Sequence, residues 1–174
     1  MKKILLVFTA MFFALTLTGC GEKNVEGSLE EIMDKVYATI PEDQRPMMLM
    51  NVEVNKENVE MYLGTSDIEY EEALASESAT GSIAHSVVLV RVKDIANIEL
   101  IKEKIENSVN PRKWICVEAE EVEIESKGNL IILIMSSEIN AEKIETEFNK
   151  LYESQSPATI LILEYVSASI RIAK

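Results

Sequence analysis

Val87-Val88-Leu89-Val90-Arg91-Val92 decides the fold of this chain. It is a continuous apolar run. A run of that kind reads as a strand buried on both faces, and therefore as a central strand of a sheet. Asp94 follows, placed to cap a helix whose apolar stripe is Ile95, Ile98, Ile101, Ile105 and Val109, with Asn110-Pro111 as its stop. Next, Val122 and Ile124 alternate with Glu121, Glu123 and Glu125, which predicts a strand with one apolar and one acidic face. Gly128-Asn129 is a favoured tight-turn pair, and Leu130 to Met135 returns as a second buried strand. Ile144, Phe148, Leu151 and Tyr152 make the face of another helix, and Thr159 to Leu163 begins a last strand that can run on through Tyr165, Val166 and Ile170.

Upstream of that core the pattern is looser. Ser28-Leu29-Glu30-Glu31 reads as a capping box, followed by Leu29, Ile32, Met33, Val36 and Ile40 at helical spacing and by the stop Pro41. Asn55 to Gly64 predicts a short helix with Asn55 at its start and Gly64 at its end. Ser66 to Glu77 is ambiguous: Ile68, Tyr70 and Leu74 alternate like a strand, whereas Glu71 to Ala75 favours a helix. The strand reading pairs this segment with Val87 to Val92 through a turn at Thr80-Gly81-Ser82. From Ile83 onward the order is strand, helix, strand, strand, helix, strand, the split βαβ order of ferredoxin-like folds. The expected class is α+β, a two-layer sandwich whose antiparallel sheet carries its helices on one face, ferredoxin-like in the C-terminal part.

The N-terminus carries a different message. Met1-Lys2-Lys3 is basic, and Ile4 to Leu17 is an uncharged apolar stretch of 14 residues. That suits the apolar region of a signal peptide and is short for a spanning helix, which needs about 20 residues. Leu17-Thr18-Gly19-Cys20 closes it and resembles the lipobox of bacterial lipoproteins. The resemblance implies cleavage between Gly19 and Cys20, a diacylglyceryl group on the Cys20 sulfur, and a location at the cell membrane on its extracytoplasmic face. Multiple acyl chains hold a protein on a bilayer where a single one holds it only marginally. The expected organisation is a signal peptide over 1–19, a lipidated tether over 20–27 and one α+β domain over 28–174.

Removal of residues 1–19 leaves 155 residues with 15 basic and 30 acidic side chains, a net charge of −15. So acidic a surface repels phosphate backbones, which argues against nucleic acid as a partner. With Cys20 consumed by lipid, Cys116 has no intramolecular partner. Its place in Trp114-Ile115-Cys116-Val117 predicts a buried, inert thiol.

A second resemblance rests on Tyr62-Leu63-Gly64 with Asp67 and Tyr70, on Val87 to Val92 running into Lys93-Asp94, and on Lys127-Gly128-Asn129 ahead of Leu130 to Met135 and the Ile144/Phe148 helix. These segments, spread over residues 28–152, resemble a family of Gram-positive lipoproteins known as domain of unknown function DUF4358. The chain departs from it in being short between Val109 and Val122 and in its strand-like tail after Pro157. The resemblance implies location and fold and brings no catalytic residues.

Candidate chemistry is thin. His85 is the single histidine, near Ser82 and Ser86, with no glycine-flanked nucleophile turn; it reads as a strand-edge residue. Met47, Met48 and Met50 could offer thioethers to Cu(I), but they lack a regular spacing and read as core packing, with Met61 well apart. Glu118, Glu120, Glu121, Glu123 and Glu125 read as a solvated strand face rather than a glycosidase pair. No calcium loop, phosphate loop, dinucleotide fingerprint or Cys-x-x-Cys pair occurs. No catalytic residue, metal ligand or cofactor is expected. The favoured expectation is a non-catalytic lipoprotein that binds a protein or small ligand. The alternatives are a small solute- or metal-binding lipoprotein, marked by a pocket lined with Met50, Met61 or His85, and a cell-wall or peptide hydrolase, marked by a cleft joining Glu118 or Glu120 to acids of another segment.

Overall fold

The computed structural model describes residues 24–154. In chain order these form α1 (Leu29–Val36), β1 (Leu49–Glu53), α2 (Val59–Leu63), β2 (Glu72–Ser78), β3 (Ser86–Arg91), α3 (Ile98–Glu106), β4 (Glu121–Lys127), β5 (Leu130–Ser136) and α4 (Glu138–Ser154). The five strands make one open sheet in the order β1-β2-β3-β5-β4, antiparallel at every pairing. The α+β class and the antiparallel sheet stand as expected.

β3 lies in the middle of the sheet, and every residue of β3 and β5 is buried. The alternation of side chains sorts them into two cores. Val87, Leu89, Leu130, Ile132 and Ile134 meet α1 and α4 through Ile32, Val36, Ile144 and Phe148. Val88, Val90, Ile131, Leu133 and Met135 meet α2 and α3 through Leu63, Ile98, Ile101 and Ile105. Each fully buried aliphatic side chain contributes about 1.5–3 kcal/mol of transfer free energy, so neither face can be left bare. The helix-on-sheet sandwich is thus made on each face, which corrects the expectation of helices on one face. The split βαβ unit is present: β5 lies between β3 and β4 and is antiparallel to both. The other side of β3, where a ferredoxin-like fold seats its last strand, is filled by β2. The strand expected from Thr159 onward lies outside the described residues.

Local signals explain most boundaries. Ser28 accepts from the Glu31 N–H at 3.2 Å and Glu31 accepts from the Ser28 N–H at 3.3 Å, the reciprocal capping box read from the sequence. Arg45 donates to the carbonyls of Ile40 and Tyr37, at 3.0 and 2.9 Å, and so closes the turns after α1. α2 starts at Val59 rather than near Asn55, because the Asn55 side chain accepts from the Glu57 N–H in a turn of its own. It ends at Gly64, φ +75°, where a Cβ would collide with the backbone of Ser108. Asp94 accepts from the Ala96 N–H as a cap, but Ile95 sits in a 3-10 turn and leaves the helical stripe to Ile98, Ile101 and Ile105. Gly128, φ +56°, turns β4 into β5. The segment before β3 is a strand, as preferred, but only from Glu72; Ile68 and Tyr70 precede it and pack against the second core. β1 has no counterpart in the sequence reading, which took Met50, with Met47 and Met48 before the strand, for core packing.

Candidate functional site

The sheet carries polar clusters at both ends. At one end, Arg91 is the last residue of β3 and only 8% exposed. Its Nε donates to Glu72 Oε1 at 2.7 Å, Nη1 to the Val25 carbonyl at 2.7 Å, and Nη2 to the Gly27 carbonyl at 2.7 Å. The Val25 N–H in turn donates to Asn129 Oδ1 at 3.0 Å, and the Asn129 carbonyl accepts from the Val92 N–H at 2.9 Å. The Val25 side chain is buried in the first core. The planar guanidinium fork suits this task, because it binds several oxygens at once without an acceptor of its own. Residues 25–27 are therefore clamped against the end of the sheet, within the 20–27 stretch read from sequence as tether. The sequence reading gave Arg91 no role and Asn129 only a turn, although a lone charge inside Val87 to Val92 was the available signal.

At the other end, His85 is buried, 1% exposed, which corrects its reading as a strand-edge residue. One ring nitrogen, Nε2, lies 2.7 Å from the Tyr37 hydroxyl; the other, Nδ1, lies 2.7 Å from Ser136 Oγ. The hydrophobic residues that follow it pull His85 into the core between α1 and β5. Burial pushes the imidazole down to about 4, and burial raises the Tyr37 phenol against the opposing effects of Ser76 and Arg45. An imidazole so shifted is a weak base near neutral pH, and Ser136 is itself buried. The pair resembles half of a catalytic relay in composition, and both ring nitrogens are engaged by hydroxyls.

On the opposite face of the same end, Lys113 Nζ donates to Glu77 Oε2 at 3.2 Å and to Ser86 Oγ at 3.1 Å. The ammonium also lies 4.8 Å from the Tyr62 ring centroid and 5.2 Å from that of Trp114. Trp114 Nε1 donates to Glu77 Oε1 at 3.0 Å. Burial lowers the Lys113 pKa, and Glu77 works against that shift. These two anchors leave the next residues outside: Ile115 is 93% exposed and Cys116 is exposed, which corrects the expected buried thiol. Met47, Met48, Met50 and Met61 are exposed as well, so they are not core residues. Met48 has φ +55°, and β1 pairs on one side only, with β2, among the described residues.

The clefts are shallow. A space of about 280 Å³ joins Glu118 and Glu120 to His85, Ser136 and Asn140. Glu118 is paired with Arg112 at 2.7 Å and Glu120 accepts from the Glu138 N–H at 3.2 Å. A space of about 680 Å³ runs between α3 and β4 and is lined by Glu99, Glu103, Glu123, Leu100 and Ile124 among others. The β4 glutamates are half-buried, not fully solvated; burial raises the Glu123 pKa, with Glu145, Glu121 and Glu125 adding to it. Among the described residues, no group of three or more His, Cys, Asp or Glu side chains could hold a metal ion, and no helix is long and apolar enough to cross a membrane. Gly19 and Cys20 lie outside the described residues. No family model, curated protein or solved structure matches this chain.

Proposed function

We propose that this protein is a lipoprotein anchored on the extracytoplasmic face of the cell membrane through Cys20, and that its domain is a non-catalytic module that binds a protein or small ligand there. The observation that carries the reading is the leader: Lys2-Lys3, the apolar run Ile4 to Leu17, and Gly19-Cys20 at its end. Val25, five residues after Cys20, is already held by Arg91, which fits a short lipid-bound stalk. The burial of His85 and Ser136, each 1% exposed, argues against their use as a catalytic pair.

The test is metabolic labelling with a fatty acid, followed by detergent phase separation. Wild-type protein should take up label and enter the detergent phase, and Cys20→Ser should do neither. Label that persists in Cys20→Ser would overturn the assignment.

A further inference from the structure

The clamp at Arg91 and the cluster at His85 lie at opposite ends of one strand. Six residue steps of β3 separate them, which is roughly 20 Å at about 3.4 Å per residue. The clamp holds Val25 and Gly27 by two 2.7 Å hydrogen bonds from Arg91 and a third contact from Asn129. Cys20 is five residues before Val25, so its Cα can stand no more than about 18 Å from that of Val25. That reach is shorter than the sheet is long.

We propose that the clamp makes the anchor directional. A lipid on Cys20 sets the Arg91–Asn129 end of the sheet against the bilayer and turns the His85–Lys113 end outward, as the partner-facing end of the module. This rests on the lipoprotein reading and extends it. α1 starts beside the clamp and runs along the sheet until Tyr37 meets His85, so tether, clamp and helix are one continuous brace. A tether free as far as Ser28 would let the domain roll over the membrane; one that ends at Val25 restricts it. The loop that carries Ile115 and Cys116 is held at the outer end by Trp114 on Glu77 and by the Glu120 N–H on the Ser136 carbonyl at 3.0 Å. Its exposed apolar residue, and the exposed Met47 and Met48 close to Ser78 at the end of β2, then face away from the lipid. Arg91 and Asn129 are positioning residues in this arrangement.

Cys116 supplies a native reporter at the outer end, and Lys93→Cys in a Cys116→Ser background supplies one beside the clamp. The lipid-modified protein is reconstituted into phosphatidylcholine vesicles that carry a short-range energy acceptor on the headgroups, and a thiol dye is placed at either position. Transfer from Lys93→Cys should exceed transfer from Cys116 by at least about twofold, given the separation of the two ends. Insertion of about ten Gly/Ser residues after Gly21 should bring the ratio close to one, because a chain of that length behaves as a flexible coil. Equal or reversed transfer in protein that floats with the vesicles overturns the orientation, and so does a ratio that the insertion leaves unchanged. Protein that carries no lipid and fails to float overturns the lipoprotein reading instead.

Discussion

The two ends of the sheet are both polar and both buried, yet they are held by different chemistry. At the clamp end a guanidinium charge meets one carboxylate and two backbone carbonyls. At the far end, on the α1 face, an uncharged imidazole sits between two hydroxyls. The charged end joins segments distant in sequence, since Arg91 is 66 positions from Val25. The neutral end joins the end of α1 to β3 and β5, with the Arg45 guanidinium 5.9 Å from the Tyr37 ring. An end built on a cation depends on the fork that delivers it; an end built on a neutral ring depends on pH.

The sharpest way to break the comparison is Arg91→Ala. It removes three donors from a site only 8% exposed and leaves the carbonyls of Val25 and Gly27 without the partner they have. We expect a loss of about 3 kcal/mol in denaturant-melted stability, with early proteolysis at residues 24–28. Arg91→Lys keeps the charge but cannot reach both carbonyls, and should fall between the two. A loss below about 0.5 kcal/mol for Arg91→Ala would show that the clamp is incidental.

The far end should answer to acid. Burial holds His85 at about 4, below its ordinary 6.5, so the unfolded chain takes up a proton before the folded one does. The contribution is therefore complete above about pH 6.5 and is lost as the pH falls toward 4, by up to about 3 kcal/mol in all. Stability curves of wild type and His85→Gln over that window test this: the variant should lose less than wild type as pH falls. Parallel curves would place the pH response elsewhere.

The smallest expected effect belongs to the Lys113 cluster. Lys113→Met should cost about 1–2 kcal/mol, because the half-buried Glu77 loses its cation while keeping the Trp114 donor. The double variant Lys113→Met/Glu77→Gln should recover most of that loss. Trp114 is the one tryptophan, so its fluorescence reports whether the loop stays seated. A red-shifted emission in the double variant would show that the ion pair, not the aromatic contact, holds the loop.

Much of the fold was legible residue by residue. The apolar runs Val87 to Val92 and Leu130 to Met135 marked the two central strands, the Gly128-Asn129 pair marked their hairpin partner's turn, and Ser28/Glu31 marked the start of α1. Those signals are local: strand periodicity, a positive φ, a reciprocal cap. The polar clusters were not legible, because each is assembled from segments far apart in the chain. His85 looked like an edge residue because its neighbours Ala84 and Ser86 say nothing about α1 lying above it. Cys116 looked buried because an apolar tetrapeptide gives no warning that Trp114 alone will be anchored.

By itself the sequence determined composition and periodicity: an acidic chain, two strands apolar on both faces, and a cysteine at the end of a short uncharged apolar run. Period-2 and period-3.6 patterns depend on neighbours a few residues away, so they survive without any knowledge of the tertiary fold. Only the tertiary structure decided which helices cover which face, that β2 takes the place beside β3, and that Arg91 reaches back to Val25. Those outcomes depend on the competition of distant segments for the same buried surface. That competition turned the one charge in the opening strand into the fastening of the chain that leads to Cys20.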